Sequence, residues 1–411
     1  MSSTLIPKFI GLFPTIVLFL FSTVLRFFPG LEWTFEATWI ICILVFLWVM
    51  FSGRLIVDIW VFYLIFAVVF LVFSSAMASS REFGQPIIFG VLASRQYFIV
   101  FGVISFYLIF AYSLNAADCP RLFGLMISRC FWVNLIGNFL LQTVGRGVLG
   151  QVEALYVIEE DRLRLPSPFI LMGIFYYYEL TKKSPNNWGY FLFIFLGLCY
   201  FLAFDGGRSN LICIALVLLF SSLWGANGLD KKIFTLIKFF VVSVSIVGGF
   251  FIFSGEVGQK LAKKYSEAFF VVMTGQEGLD DSANSRIRQA EIIIDGVEKN
   301  PLFGNGFLSA QFHEGFKTFF GHFHPSDNGF GGVVYVWGYV GLFVVCIQLI
   351  PMVKYFTSVR YFSESVALWL MTFYHLLFSI VSGKLAFSFE FSVMIISMMI
   401  IVMKIGVLRN E

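Results

Sequence analysis

Apolar residues run along this chain in continuous stretches of roughly 18–22 positions, each long enough to cross a hydrocarbon layer as a helix. They do not alternate with polar residues as the strands of a membrane barrel do. The pattern predicts about twelve spans, near residues 9–29, 37–52, 55–75, 97–115, 122–144, 167–181, 189–206, 209–225, 233–254, 329–351, 363–383 and 389–407. The second is short. The fifth carries Arg129, Asn134 and Asn138, which suit packing against other helices more than lipid. One interval breaks the rhythm: residues 255–328 form a loop far longer than an ordinary connection. The expected fold is an all-α polytopic membrane protein. Residues 1–254 would hold spans one to nine, 255–328 the large loop with amphipathic helices, and 329–411 spans ten to twelve.

Composition supports this picture and removes its rivals. Of 411 residues, 59% are hydrophobic and 13% are charged, with 54 phenylalanines. A soluble chain carries about twice that charge fraction, and this much apolar surface does not fit inside one core. A soluble enzyme, a disordered protein and a nucleic-acid binder are excluded. The six cysteines show no CxxC spacing, and all but Cys119 fall in apolar runs, so they read as small buried hydrophobes. The N-terminal apolar run has no small-x-small cleavage site after it and reads as an uncleaved first span.

The net charge of +3 matters less than where the cations sit. With the N-terminus inside, one set of loops holds Lys8, Arg54, Arg121, Lys182, Lys183, Lys231, Lys232, Lys354, Arg360 and Arg409. The opposite loops are mixed or acidic, as at Glu159, Glu160 and Asp161. The positive-inside rule then puts both termini in the cytoplasm and 255–328 outside. Within that loop, Ser282, Asn284 and Ser285 are candidate caps for a helix over SRIRQAEIIIDGVEKN. Ile287, Ala290, Ile294 and Val297 recur at helical spacing and predict its apolar face. Asn300-Pro301 and Gly304-Asn305-Gly306 predict its end.

Four polar clusters fall at the outer face. Asp205-Gly-Gly-Arg208-Ser209-Asn210 joins two spans and sets a guanidinium at headgroup level, suited to a diphosphate; an arginine that snorkels and pairs with Asp205 is the alternative. Arg286-Ile-Arg288 opens the amphipathic helix, where an anion could meet free N–H groups, or where an ordinary solvated turn could sit. Arg162-Leu-Arg164-Leu-Pro enters the sixth span and reads first as a charged helix flank, with anion binding the alternative. His322-Phe-His324-Pro-Ser-Asp327-Asn328 closes the loop and offers proton acceptors, or simply a polar turn. The two histidines lack a third ligand at convincing spacing, so no metal is expected. His375, mid-span, reads as a packing residue. A transporter would place polar residues near the midplane. Here Asp58, Glu179 and Lys238 lie near the cytoplasmic ends, which favours chemistry on a lipid-linked anion at the outer face.

These residues resemble the O-antigen polymerase and ligase family, polytopic membrane glycosyltransferases of the GT-C class. Arg286, then an amphipathic helix, then Pro301-Leu-Phe-Gly304-Asn-Gly306 matches the family's periplasmic loop. Asp327-Asn328 followed by Gly338-Tyr-Val-Gly341 resembles its exit, Arg208-Ser209 its Ser-Arg pair, and Arg162 to Pro168 its arginine-to-proline loop. The likeness covers roughly residues 160–345. One departure is that Asp327 stands where ligases carry histidine, with His324 three residues early, and this leans toward a polymerase.

The resemblance implies an inner-membrane enzyme that joins undecaprenyl-diphosphate-linked oligosaccharide units by inverting glycosyl transfer, in contact with membrane lipid. Arg208 and Arg286 with Asp327 and His324 would be catalytic, and Arg288, Arg162, Arg164 and Asn328 would bind diphosphate or glycan. No cofactor and no nucleic acid are expected, and a chain-length regulator protein is a candidate partner. A ligase to lipid A core and a flippase of the same units are the rival expectations.

Overall fold

A computed structural model describes residues 33–53, 58–111, 118–143, 158–159, 162–163, 168–184, 186–201, 208–224, 230, 233, 237, 281–321, 323–358 and 363–407. The helices there are α1 (Thr34–Phe51), α2 (Ile59–Phe83), α3 (Ile87–Ala93), α4 (Ile99–Ala111), α5 (Asp118–Thr143), α6 (Pro168–Lys183), α7 (Trp188–Tyr200) and α8 (Arg208–Trp224). They continue with α9 (Asp281–Lys299), α10 (Phe316–Phe320), α11 (Gly329–Ile347), α12 (Leu349–Ser358), α13 (Ser363–Ser382), α14 (Lys384–Phe387) and α15 (Phe389–Val407). Short 3-10 turns cover Arg95–Phe98 and Pro325–Asn328. Among the described residues the all-helical expectation holds apart from an antiparallel ribbon of two residues per strand, β1 (Ile158–Glu159) with β2 (Arg162–Leu163).

Ile59–Phe83, Arg121–Leu141 and Pro325–Tyr355 are each long and apolar enough to cross a membrane. Ile87–Ala93 and Arg95–Ala111 together make a further candidate, bent by 62°. Shorter apolar helices cover Glu36–Phe51, Trp188–Tyr200, Ser209–Leu223 and Val366–Ser382. These account for part of the expected twelve spans. The first predicted span, nearly all of the ninth, and residues 255–280 of the loop lie outside the described residues. Two boundaries differ from expectation. The third span runs on to Phe83, where Gly84 adopts a left-handed cap. The fourth is preceded by α3, which meets it at a 62° bend and which the span pattern does not predict.

At one end of the bundle a carboxylate ties three helices. Asp58 caps α2 by accepting from Val61 N, at 2.9 Å, and also accepts from Tyr107 Oη at 2.5 Å and Lys404 Nζ at 2.7 Å. The ends of α6 and α8 are linked by Glu179, which accepts from Lys182 Nζ at 2.7 Å and from Ser221 Oγ at 2.6 Å. Partly buried polar groups need such partners. His375 is the buried packing residue expected, hydrogen-bonded to Ser392 Oγ at 3.0 Å and set against the Phe391 ring. Cys42, Cys130 and Cys213 are buried thiols.

The opposite end is built around a break in α11. Gly338 takes φ +67° and ψ −174°, which no helix tolerates, and four backbone groups lose their helical partners there. They are the carbonyls of Tyr335 and Val336 and the amides of Tyr339 and Val340. The turn at 301–306 supplies all four replacements. Asn305 N donates to Tyr335 O at 2.7 Å and Gly306 N to Val336 O at 3.0 Å. Tyr339 N donates to Pro301 O at 2.8 Å and Val340 N to Leu302 O at 3.2 Å. The turn therefore does more than end a helix in an outer loop, as the sequence predicts: Gly304, Asn305 and Gly306 are buried inside the helix packing.

The small residues of α2 make room for it. A Cβ placed at Gly306 would lie 2.2 Å from Ser75 O and 2.3 Å from Ser79 N, so only glycine fits. Past the turn, Phe307 N donates to Ser75 Oγ at 2.9 Å. Gln85 donates to Phe307 O at 3.1 Å and accepts from Ser309 N at 2.8 Å. Residues 83–85 thus meet residues 307–320, part of the loop that the charge pattern assigns outside, at one end of the bundle. The Asp58 cluster, assigned inside, sits at the far end of α2.

Gly338→Ala would set a Cβ 2.1 Å from Leu302 O in a left-handed conformation. The expected cost is about 2–4 kcal/mol, read as a lower melting temperature in detergent. Gly53→Ala, with φ +67° and open space around it, should cost much less. Orientation is checked by impermeant thiol labelling: Ala310→Cys, exposed beside the turn, should react in cells whose outer membrane is permeabilised, whereas Lys183→Cys should react only once the inner membrane is broken. The reverse pattern would invert the topology.

Candidate functional site

α9 begins at Asp281, so Ser282, Asn284 and Ser285 lie in its first turns and do not precede it as caps. Its buried face also differs from the predicted one. Ala290 is exposed and Ile294 is 57% exposed, whereas Gln289, Ile293 and Gly296 are buried. The reason is the partner surface. α9 lies on the first half of α11, where Gly296 rests against the Tyr335 ring and Ile293 packs over Gly331. The nearest approach between two helices goes to the smallest side chain, and a count of apolar residues does not find it. Ile287 and Val297 are half-buried at the edges of that face.

Gln289 is 2% exposed in this otherwise apolar contact. Its Oε1 accepts from His324 N at 3.2 Å and from Asn328 Nδ2 at 2.8 Å. Its Nε2 donates to Ser285 Oγ at 2.9 Å. Asn328 Nδ2 also donates to His324 O at 3.1 Å, and Asp327 N donates to the same carbonyl at 3.0 Å. The start of α9 and the turn at the mouth of α11 are thereby joined into one polar surface. Arg286 and Arg288 are exposed on it from α9, and His324 and Asp327 are exposed on it from the turn, with Asn328 half-buried between them. Arg286 precedes Gln289 by three residues and so stands one helical turn away on the same side.

A second layer supports this surface from below. Asn305 Nδ2 donates to Gly296 O at 3.0 Å and to Tyr335 O at 3.3 Å, while its Oδ1 accepts from Asn300 at 2.7 Å. Asn300 in turn accepts from Arg81 at 2.6 Å and donates to Glu82 at 3.1 Å, which fixes the end of α9 to the end of α2. Phe316, Phe320 and Phe323 close around Tyr335, with the Phe323 and Tyr335 ring centroids 5.0 Å apart and the Phe316 and Phe323 rings perpendicular at 5.2 Å. Behind the turn, Gly329 lies directly against the Ile380 carbonyl at the end of α13.

The remaining predicted residues stand apart from this core or outside the described residues. Arg208 opens α8, and two residues on Asn210 accepts from Tyr374 Oη at 2.6 Å, so α8 starts against α13, the same helix that abuts the 325–329 turn. From Tyr374 to Ile380 is six residues, about 9 Å along a helix. Arg162 lies in β2, paired across the ribbon with Glu159 in backbone register. The side chains of Arg208 and Arg162, and all of Arg164 and His322, lie outside the described residues. Gln289 is the residue that sequence reasoning missed. Its signal was a lone amide in register with Ile293 and Gly296, at i, i+4 and i+7.

The O-antigen ligase family model matches residues 191–346. That segment runs from Arg208 through Arg286, Arg288, the 301–306 turn and Asp327 to the break at Gly338, and it leaves out Arg162 and Arg164. No curated protein and no solved structure matches the chain. The match covers less than half of the chain and supports a member of the O-antigen ligase/polymerase type, a family of glycosyltransferase-like enzymes. The apolar helices agree with a membrane protein of that kind.

Proposed function

We propose that this protein is a polysaccharide polymerase that joins undecaprenyl-diphosphate-linked oligosaccharide units by inverting glycosyl transfer at the periplasmic face of the inner membrane. The observation that carries this reading is the joining, through Gln289, of an arginine-bearing helix start to an Asp–Asn turn at the mouth of an apolar helix. A lipid-linked donor needs that combination. Its tail stays in the bilayer, its diphosphate needs cations at the headgroup level, and its anomeric carbon needs an acceptor nearby.

In the proposed step the acceptor hydroxyl oxygen forms a bond to the anomeric carbon from the face opposite the leaving group. The bond from that carbon to the diphosphate oxygen breaks, and the lipid diphosphate leaves with the electron pair. Arg286 and Arg208, with Arg288, Arg162 and Arg164 flanking, offset the charge that grows on it. The hydroxyl proton passes to Asp327, with His324 beside it and Asn328 orienting the sugar. The donor is already activated by its diphosphate, so the chemistry asked of the protein is charge stabilisation and proton acceptance.

A second reading is transfer of the finished glycan to lipid A core, which the description of the matching family favours. A deletion strain separates the two. Single repeats on lipid A would mark loss of a polymerase; bare lipid A, with polymer retained on the carrier, would mark loss of a ligase.

Arg208→Ala and Arg286→Ala should each lower the rate roughly a hundredfold to a thousandfold, the cost of one lost contact to a transition-state oxyanion. Lysine should rescue poorly, since it lacks the planar fork. Near-normal chain length in both alanine variants would return these arginines to surface roles. Among the candidate bases, Asp327→Asn should be more damaging than His324→Ala, and His322→Ala nearly silent, measured as polymer formed from purified lipid-linked units. An inactive His324→Ala beside an active Asp327→Asn would move the base to His324.

A further inference from the structure

We infer that Gln289 is a positioning residue for the transfer step, holding the 324–328 turn in register with the arginines of α9. The inference rests on the glycosyl-transfer reading above and adds to it a residue that touches neither sugar nor diphosphate. A buried amide in an apolar helix contact costs free energy unless every polar atom is partnered. Here both ends are used: the oxygen takes two donors from the turn, and the nitrogen gives to Ser285 on its own helix. Leucine would fill the same volume beside Ile293 with no polar atoms to satisfy, so packing alone does not call for glutamine.

The bonds are also specific in direction. The His324 donor is a backbone N–H, so the group facing it on Gln289 must be the oxygen. That oxygen then requires Asn328 to present its nitrogen, which the His324 carbonyl requires as well. The Asn328 amide is thereby oriented, and its oxygen takes no part in these bonds. Asp327, between the two anchored residues, is fixed in backbone while its carboxylate stays exposed. Loss of the amide would let the turn shift against Arg286, and small misplacements of reacting groups cost large factors in rate.

The test uses the full-length protein in detergent or nanodiscs with purified lipid-linked repeat units. Gln289→Leu and the one-methylene-shorter Gln289→Asn should lower kcat at least tenfold, with KM for the donor within about twofold and the melting temperature near wild type. Gln289→Glu keeps an acceptor oxygen facing the turn and should retain at least a third of kcat. In a double-mutant cycle, Gln289→Leu with Asn328→Ala should cost no more than the worse single change, because the two act through each other. Wild-type kcat in folded Gln289→Leu and Gln289→Asn would overturn the inference. So would failure of both to fold, or equal loss in the glutamate variant, since the amide would then be structural only. If the wild-type protein transfers nothing from lipid-linked donors while Asp327→Asn and Arg286→Ala match it, the glycosyl-transfer reading fails first.

Discussion

One end of this protein depends on one exchange of backbone hydrogen bonds. Inside a membrane protein an unpaired N–H or C=O has no water to turn to and costs several kcal/mol. A helix broken at Gly338 exposes four such groups, so the break exists only if another segment pairs them. The 301–306 turn pairs all of them, two carbonyls and two amides, in the manner of a short ladder. Fold and loop are then mutually dependent: the break in α11 is paired by the turn, and the turn is held by the break together with Ser75, Gln85 and the end of α9.

That exchange sets the geometry of the site. Asn300 and Asn305 tie the end of α9 to α2 and to the Tyr335 carbonyl, so α9 must lie along the first half of α11. Its opposite end then reaches the turn that opens α11, where Gln289 makes the junction. Small residues set the distances: Ser75 and Ser79 admit Gly306, and Gly296 admits the Tyr335 ring. The apolar helices, the buried turn and the exposed polar surface form one chain of causes.

The helical, apolar character of the described residues was legible in the amino-acid sequence, because membrane spans are long and apolar. The existence of α9 was legible for the same reason of periodicity. Its buried face was not. Ile287, Ala290, Ile294 and Val297 make a tidy apolar stripe, yet the helix turns Gln289, Ile293 and Gly296 inward, since close approach to α11 selects small size and a polar bond over hydrophobicity. Nor was the insertion legible. Gly338 and Gly341 look like ordinary helix-packing glycines, and pairing between 301–306 and 335–340 is a contact across the chain that no local pattern reports. Asp327 and His324 were legible as neighbours along the chain, and the structure adds that both stand on a surface braced by α9.

Whether the 301–306 turn is a fixed part of the helix packing or a free loop can be read from hydrogen–deuterium exchange resolved to single amides. The amides of Asn305 and Gly306 should exchange as slowly as those of the buried helices, and substitution at Gly338 should speed them together with those of Tyr339 and Val340. Exchange at Asn305 and Gly306 as fast as in an exposed loop, while α11 stays protected, would contradict a turn locked into the broken helix.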